Sequence, residues 1–428
     1  MAAALRCGAV RSALHFPHFA SSHETVNRSR KHCWQQAPLP SLGLCGHDIR
    51  TRDSNEGDFI SGAVSQRLQR KGRRAVAVRA VATAAPSKVD MKQVLQLLVE
   101  RTDLSQEQTE AALESVLDGS HPAQTAAFLA LLRAKGETAD EIVGLARAMQ
   151  KAAVRVHAGD DVLDIVGTGG DGANTVNIST GSCILVAACG GKVAKHGNRS
   201  VSSACGSADV LEALGVAVDL GPEGVAQCVR EVGVGFMFAP RYHPAMSAVK
   251  QVRAALKIRT AFNILGPMLN PAMARYALVG VFNSELIELM AQSLQKLGTK
   301  RALVVHSEGL DEISPLGPAD MLEVTPETIR NFRVDPVDFG VPRCTLEDLR
   351  GGDKALNAKI LRDMLAGARG AVSDALILNA GVGLVACGVA ADVGEGVARA
   401  REVQRSGAAL RTLDDWVALS QKLRQEES

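Results

Sequence analysis

The residues best suited to chemistry lie in one stretch, residues 164–180, which reads DIVGTGGDGANTVNIST. An apolar run over 162–166 leads into four glycines within six residues, and hydroxyl and amide side chains follow before a second apolar run. This order predicts a buried strand, a tight loop and the start of a helix. Glycines let a backbone approach a ligand closely, and a helix N-terminus offers free N–H groups and positive potential. The stretch therefore predicts a site for a phosphate or pyrophosphate.

Three other interpretations of this loop fit less well. A G-x-G-x-x-G pattern begins at Gly167, but a dinucleotide site needs an acidic residue about 20 positions later, where Lys195-His196 stands. A P-loop would end in Gly-Lys-Ser/Thr, whereas this loop continues with Ala173-Asn174. A glycine turn that serves only sheet geometry leaves the polar cluster at 177–180 unexplained.

A second polar cluster, residues 195–203 (KHGNRSVSS), follows the next apolar run of the chain. Its two cations, one amide and three hydroxyls are groups that bind phosphate oxygens well. Taken alone, the stretch would be interpreted as a solvated loop. Because it follows the second candidate strand, we expect it at the same sheet edge as the glycine loop, where it would extend the phosphate site.

Two further clusters could serve an acidic substrate and a metal. Arg253 follows an RYHPAM stretch at 241–246, and an arginine can hold a planar carboxylate through two parallel hydrogen bonds. Asp311 and Glu312 follow the apolar run 302–305, and adjacent carboxylates can hold Mg²⁺ together with substrate phosphates. The alternatives are a surface helix charge for Arg253 and an acidic turn for the carboxylates.

The elements that must position these residues form two groups. Residues 88–157 show helical spacing, with capping-box pairs Ser105/Gln108 and Thr138/Glu141 and a helix start at His121-Pro122. From about residue 160, short apolar runs alternate with helical segments, which predicts an α/β domain with a mainly parallel central sheet. The candidate strands are 162–166, 192–194, 234–238, 277–282, 302–306 and 375–378.

Composition excludes several classes of protein. The chain has 428 residues, 46% of them hydrophobic and 22% charged, which is typical of a globular protein. Aromatic residues make up only 3%, so stacking platforms for single-stranded nucleic acid are scarce. No apolar run approaches the roughly 20 residues that span a bilayer. We therefore expect neither nucleic acid nor a membrane among the partners.

The charge is unevenly distributed along the chain. Residues 1–80 carry 13 Lys and Arg against 5 Asp and Glu, a net +8, so the remainder sums to 2 − 8 = −6. The basic segment is rich in Ser, Ala and His and shows little periodicity, which favours an organellar transit peptide without fixed structure over residues 1–82. A basic arm that binds nucleic acid is the alternative, and an acidic body would not assist it.

Several of these motifs together resemble one family. GTGGD at 167–171, NIST at 177–180, KHGNR at 195–199, HPAM at 243–246, RTAFNILGP at 259–267 and DE at 311–312 are similar to the signatures of the anthranilate phosphoribosyltransferases. The likeness extends over about residues 88–423, and the motifs recur in order at compatible spacing, so it is specific.

The resemblance implies an activity and an organisation. Members of the family transfer phosphoribose from phosphoribosyl pyrophosphate to the amine of anthranilate during tryptophan biosynthesis, and they need Mg²⁺, with two ions expected. It implies a helical domain over 83–157 that forms a homodimer interface and an α/β domain over 158–428. Helices near 243–262 would pack at the junction of the two. For a form with such a presequence, the resemblance implies the chloroplast.

The resemblance also implies roles for individual residues. Lys195 and Arg253 would be the catalytic residues, and Ser179, Asp311 and Glu312 would hold metal. Gly167, Asn198, Arg253, His243 and Pro267 would contact anthranilate. The remaining assignments concern phosphoribosyl pyrophosphate, which would be bound by Gly167, Gly170, Asp171, Thr175, Asn177, Ile178, Ser179, Thr180, Lys195, His196, Gly197, Asn198, Arg199, Ser200, Val201, Ser202, Ser203 and Ser207.

Four residues at three places depart from the family pattern. Cys205 stands where a small hydroxyl residue is usual, Lys257 replaces a common glycine, and Met268-Leu269 replaces Leu-Thr. None of them removes a charged or metal-binding group. Two rivals follow from the same residues: a pyrimidine nucleoside phosphorylase, which the carboxylate pair and the KHGNR motif disfavour, and a nucleic-acid-binding relative, which the acidic body disfavours.

Overall fold

The computed structural model describes residues 90–200 and 204–427. The predicted transit peptide and three predicted phosphate ligands, Val201, Ser202 and Ser203, lie outside the described residues. The helices are α1 (Met91–Val99), α2 (Gln106–Val116), α3 (Pro122–Lys135), α4 (Ala139–Lys151), α5 (Ile178–Ala188), α6 (Ser207–Leu214), α7 (Pro222–Glu231), α8 (Ala239–Tyr242), α9 (Met246–Leu256), α10 (Leu286–Lys296), α11 (Lys354–Leu365), α12 (Ala371–Ala386), α13 (Val393–Arg405) and α14 (Ala408–Glu427). The strands are β1 (Leu163–Gly167), β2 (Val193–Gly197), β3 (Val234–Phe238), β4 (Tyr276–Gly280), β5 (Arg301–Ser307), β6 (Ala319–Val324) and β7 (Ile329–Val334).

Helices α1 to α4 form a bundle whose starts follow the predicted caps. Capping boxes begin α2 at Ser105 and α4 at Thr138, and Pro122 opens α3. The Glu141 carboxylate of the second box is buried, where it accepts hydrogen bonds from the Leu104 N–H at 3.0 Å and from Lys135 Nζ at 2.9 Å. One carboxylate therefore both caps a helix and ties it to the preceding loop and helix.

The seven strands form one sheet in the order β3-β2-β1-β4-β5-β6-β7. Strands β3, β2, β1, β4 and β5 are parallel, and β6 and β7 extend the sheet antiparallel. The predicted fold class, a helical domain joined to an α/β domain with a mainly parallel sheet, is confirmed. The carboxyl ends of β1 and β2 are neighbours, so the segments that follow them meet at one edge.

The prediction of a strand over 375–378 is wrong, because those residues lie inside helix α12. Apart from Asp374 and Asn379, the residues of Ala371–Ala386 are apolar or small, and most of them are buried. A segment that is apolar on every side has no periodicity that separates a buried strand from a buried helix. None of the described helices is both long and apolar enough to span a membrane.

The two faces of the sheet contribute to two different cores. In β5, Leu303 and Val305 belong to a core with α5 and α12, whereas Ala302 and Val304 belong to a core with α10 and the bundle helices. Alternate residues of a strand point to opposite faces, so β5 is apolar on both. The second core also holds Val249 of α9. The bundle and the α/β domain thus share one hydrophobic core.

Lys257, one of the departures from the family pattern, ends helix α9 in the left-handed conformation, with φ of 52°. This is the C-cap geometry that glycine adopts without steric cost. A side chain there costs about 1 kcal/mol. The glycine common in the family therefore has a backbone reason, and this chain tolerates the strain.

Candidate active site

The glycine loop leaves β1 and lies against the loop that follows β5. The Thr168 N–H donates to the Gly280 carbonyl at 2.9 Å, and the Gly169 N–H donates to Asp311 Oδ2 at 2.6 Å. Gly167 and Gly280 must both be glycine here, because a Cβ on either would overlap Asp311. The absence of two side chains therefore lets a carboxylate reach the end of the sheet.

Asp311 and Glu312 lie side by side against two backbone donors. Asp311 is held by Gly169, and Glu312 Oε1 accepts from the Ser179 N–H at 3.1 Å, at the first turn of α5. Burial raises the pKa of Asp311, and the nearby Asp171 carboxylate raises it further. Burial and the Asp311 charge likewise raise the pKa of Glu312. Two crowded carboxylates with raised pKa values create a strong demand for a cation.

The same place suits Mg²⁺ by the chemistry of its donors. Ser179 and Glu312 are bonded neighbours, and Asp311 adds a second carboxylate. Among the residues that the structure describes, no cluster of three or more His, Cys, Asp or Glu could enclose a metal. Mg²⁺ does not require one, because it commonly uses one or two carboxylates and takes its other oxygens from phosphates and water. The residues fit a cation shared with a phosphorylated substrate.

Lys195 is a buried cation at the end of β2. Its Nζ donates to the Ile165 carbonyl at 2.6 Å and lies 3.5 Å from Ser179 Oγ. The predicted site residues on β1, β2, α5 and the loop after β5 are therefore joined by direct contacts. Near them, the buried Thr180 hydroxyl makes no hydrogen bond. A cation and an unpartnered hydroxyl at a helix start are groups that phosphate oxygens would satisfy.

Asp164 is a buried carboxylate beneath this site that the sequence analysis did not single out. It accepts hydrogen bonds from the His196 N–H at 3.2 Å and from Asn270 Nδ2 at 2.7 Å. Burial raises the pKa of Asp164 to about 6, although the charge of Lys195 opposes the shift. Its signal in the sequence was a charged residue inside an otherwise apolar strand, a position that needs partners.

Arg199, a predicted phosphate ligand, is occupied by protein carboxylates in this structure. Its guanidinium pairs with Glu212 at 2.6 Å and with Asp209 at 3.1 Å. Asp209 Oδ2 also accepts from the N–H groups of Ser200 and Gly206. These bonds shape the loop after β2, so Arg199 acts here through loop structure. Its role toward phosphate stays a prediction.

Arg253 lies in the last turn of α9. Its guanidinium is half-buried over the Phe262 ring, 5.1 Å from the centroid. Burial lowers its pKa, and no carboxylate of the described residues forms an ion pair with it. A half-buried arginine without an acidic partner is suited to an anionic ligand. Within the described residues, no hydrogen bond joins it to the glycine loop.

Arg259 is a contact of the glycine loop whose role the sequence analysis did not predict. Its Nη2 donates to the Gly170 carbonyl at 2.6 Å, and its guanidinium lies 4.3 Å from the Phe282 ring centroid. It thus connects the segment after α9 to the loop. The RTAFN motif contained the residue, but nothing in its spacing indicated this partner.

His196 and His243 lie between the Lys195 segment and the loop that holds Pro267. Their ring centroids are 5.0 Å apart at an angle of 62°. Burial and the His243 ring lower the pKa of His196 to about 3, so it is neutral at physiological pH. His196 interacts with the backbone of Gly266 and His243 with that of Leu269, although neither contact has full hydrogen-bond geometry. The pair therefore joins the end of β2 to the segment that holds Pro267, and the predicted contact of His243 with anthranilate stays a prediction.

Asn198 directs its side chain toward the backbone. Its Oδ1 accepts from the Arg199 N–H at 2.7 Å, and its carbonyl accepts from Ser207 Oγ at 3.1 Å. These bonds leave its predicted contact with anthranilate a prediction. Tyr242 donates its hydroxyl hydrogen to the Leu220 carbonyl at 2.9 Å, a structural contact.

Fold and site together define a glycosyltransferase. The model of the glycosyl transferase family helical bundle domain matches residues 92–153, and that of the family's a/b domain matches residues 159–410. The anthranilate phosphoribosyltransferase of Chlamydia felis is 48% identical over 331 residues, 77% of this chain and 96% of that protein. This chain belongs to the anthranilate phosphoribosyltransferase family.

Solved structures agree with this assignment. The anthranilate phosphoribosyltransferase of Thermus thermophilus aligns with a TM-score of 0.73 at 43% identity, covering 76% of this chain and 99% of that one. The Saccharomyces cerevisiae enzyme in complex with PRPP and Mg aligns with a TM-score of 0.72 at 27% identity, covering 78% and 99%. The chain is an enzyme that transfers phosphoribose from phosphoribosyl pyrophosphate to anthranilate in tryptophan biosynthesis.

The raised pKa of Asp164 predicts a pH-dependent stability. A carboxyl whose pKa rises on folding stabilises the fold fully below its unfolded pKa, near 3.8, and this contribution is lost as the pH rises to about 6. The unfolding free energy of the wild type should therefore fall by about 2–3 kcal/mol more than that of Asp164→Asn between pH 4 and pH 7. Urea titrations at several pH values measure the unfolding free energy of both proteins. If that free energy changed with pH equally in the wild type and in Asp164→Asn, the prediction would be wrong.

Proposed function

We propose that phosphoribosyl pyrophosphate binds across the carboxyl ends of β1, β2 and β5, and that anthranilate reaches it from the side of α9. One observation supports this proposal above all: the carboxylate pair is bonded to both neighbouring segments. Asp311 accepts from Gly169 in the glycine loop, and Glu312 accepts from Ser179 at the start of α5. The loop after β5 is thereby joined to two segments that precede it by more than 130 residues, and together they would form one site for a charged donor.

The donor's phosphates would be held by backbone and hydroxyl groups more than by arginines. The start of α5 offers the Thr180 N–H and a positive dipole end. Thr180 offers an unused hydroxyl, and Lys195 brings a buried positive charge within 3.5 Å of Ser179 Oγ. The other predicted donor ligands of the glycine loop lie between Gly170 and Asn177, in the segment that connects Gly169 to the start of α5.

Mg²⁺ would be held by Ser179, Asp311 and Glu312, as the sequence predicted, and two ions are proposed. The solved S. cerevisiae complex with PRPP and Mg supports a metal at such a site. When bound, the metal would supply positive charge to the donor's pyrophosphate oxygens. The two backbone donors fix the carboxylates so that little reorganisation is needed.

Anthranilate would be held by Arg253, with His243, Pro267, Asn198 and Gly167 around it. The S. cerevisiae structure in complex with 4-fluoroanthranilate shows that a member of the family takes this kind of ligand. Here the support is the half-buried guanidinium over Phe262, which has no carboxylate partner among the described residues. An aromatic carboxylate would supply both a planar anion and an apolar ring.

The catalytic contribution of the chain would be positioning and charge. As the bond from ribose C1 to pyrophosphate breaks, Lys195 would stabilise the negative charge that develops on the leaving group. The arylamine of anthranilate would need only to be held in line with C1, which can supply about 7–11 kcal/mol in well-oriented reactions. The low pKa of His196 keeps a second positive charge away from the centre.

We propose also that the enzyme is a homodimer through its helical bundle and that residues 1–82 direct it to the chloroplast. The family models begin at residue 92, and the basic, Ser- and Ala-rich segment precedes them. A fluorescent protein carrying residues 1–82 should accumulate in plastids, and cytosolic fluorescence would contradict the targeting.

For the proposed homodimer, sedimentation equilibrium of the enzyme should give the mass of two chains.

Arg253→Ala should raise the KM for anthranilate at least about tenfold, as loss of a charge-assisted contact does. The KM for phosphoribosyl pyrophosphate should change little. Both KM values are measured from the rate at which anthranilate fluorescence is lost. Lys250→Ala, an exposed cation one turn earlier on α9, is the matched control. Equal effects of Arg253→Ala on the two substrates would count against its role.

The double variant Asp311→Asn, Glu312→Gln should lower turnover by about 100-fold or more and raise the Mg²⁺ concentration needed for half-maximal rate. Both changes keep the shape and remove the charge. Glu308→Gln, an exposed carboxylate three residues before Asp311, serves as the control. An unchanged Mg²⁺ titration in the double variant would remove the pair from the metal site.

A further inference from the structure

Asn357 is a buried amide on α11 with no part in the roles described above, although it reaches the candidate donor site. It is 1% exposed. Its Oδ1 accepts from the Gly352 N–H at 2.8 Å, and its Nδ2 donates to Asn177 Oδ1 at 3.0 Å. Asn177 Nδ2 in turn donates to the Cys205 carbonyl at 3.0 Å. Two side-chain amides therefore form a chain from one backbone segment to another.

The direction of this chain is fixed by its ends. A backbone N–H, that of Gly352, can only donate, and a backbone carbonyl, that of Cys205, can only accept. Turning either amide over would set a donor against a donor or an acceptor against an acceptor. The Asn177 carboxamide is therefore held in one orientation by groups outside the glycine loop.

The backbone beside Asn357 reinforces the contact. The Val176 N–H donates to the Leu349 carbonyl at 2.9 Å, and the Gly351 N–H donates to the Asn174 carbonyl at 2.9 Å. A Cβ on Gly351 would meet both the Asn357 amide and the Thr175 carbonyl. Residues 349–352 thus pack closely along the glycine loop, and Asn357 holds this segment through its hydrogen bond with Gly352.

The consequence concerns the start of α5. Asn177 occupies the N-cap position of that helix, where an asparagine side chain normally accepts from the N–H groups of the first turn. Here it makes no such bond, because Asn357 and Cys205 hold it elsewhere. The Ile178 N–H donates to the Val176 carbonyl and the Ser179 N–H to Glu312. The N–H that the cap leaves unused is that of Thr180, whose hydroxyl is also unpartnered.

We propose that Asn357 is a positioning residue for donor binding: it draws the Asn177 side chain off the start of α5 and so leaves the N–H and hydroxyl of Thr180 to the donor's phosphate oxygens. Without Asn357, the Asn177 carboxamide would be free to cap its own helix and compete with the phosphate. The inference rests on the donor site proposed above. It makes a residue 180 positions along the chain from Asn177 a determinant of donor affinity.

Steady-state kinetics of the full chain with phosphoribosyl pyrophosphate and anthranilate test this. Asn357→Leu should raise the KM for the donor about fivefold to tenfold, as loss of one buried hydrogen bond does, and leave the KM for anthranilate within about twofold. Asn357→Asp keeps the acceptor for Gly352 and loses the donor to Asn177, so it should act in the same direction if Asn357→Leu does not fold.

A double-mutant cycle separates positioning from stability. If Asn357 acts through Asn177, the double variant Asn177→Ala, Asn357→Leu should have the donor KM of Asn177→Ala alone. Gln404→Met is the matched control, because Gln404 is 1% exposed and its amide holds the other end of α11 through the Met364 and Ala368 carbonyls. It should lower the melting temperature without changing the donor KM.

The outcomes are distinct. An unchanged donor KM in both Asn357 variants, or effects that multiply in the double variant, would overturn the positioning role. A donor KM that rises equally in Gln404→Met would also overturn it, since general loosening of α11 would then suffice. An unchanged donor KM in Lys195→Ala would instead overturn the proposed donor site itself, on which this inference rests.

Discussion

The site depends on the burial of two adjacent carboxylates against backbone N–H groups. Asp311 and Glu312 repel each other, and burial increases the cost of their charge. The N–H groups of Gly169 and Ser179 offset part of this cost and fix where the carboxylates lie. A backbone can donate there only if the loop has no side chains in the way and a helix begins at the right residue. The glycine loop and the register of α5 both satisfy this constraint.

Structural features were predictable from the sequence when the interacting residues lie close together along the chain. The glycine loop, the capping boxes at Ser105 and Thr138 and the parallel strands were predictable because their signals are local. Helix α12 was not, because a segment apolar on all sides has no period. The antiparallel strands β6 and β7 were not predicted either, since their alternation is weak and charged residues interrupt it.

The candidate site shows the same limit at the level of side chains. Residue types correctly indicated phosphate chemistry at the ends of β1 and β2. The partners of Asp164, Asn177 and Arg199 could not be deduced, because each lies in another element. Arg199 is the clearest case, since a cation in a phosphate motif is held by Asp209 and Glu212, ten and thirteen residues later. Local spacing carries no information about such pairings.

The departures from the family pattern become understandable once the contacts are known. The Cys205 carbonyl, rather than its side chain, receives the Asn177 amide. The Met268 carbonyl similarly accepts from Gln150 Nε2 of the bundle at 2.8 Å. Contacts made by backbone atoms survive a change of side chain. Both positions can therefore differ from the family while the surrounding geometry is kept.

The segment that joins the bundle to the sheet has a mechanical consequence. The Val154 N–H donates to the Tyr242 carbonyl at 2.9 Å, and the Val156 N–H donates to the Pro271 carbonyl at 3.1 Å. With these bonds and a hydrophobic core common to both parts, the bundle is not a freely hinged flap. Any movement of the bundle against the sheet would therefore have to break these bonds and rearrange the shared core, so the length of the linker alone would not control it.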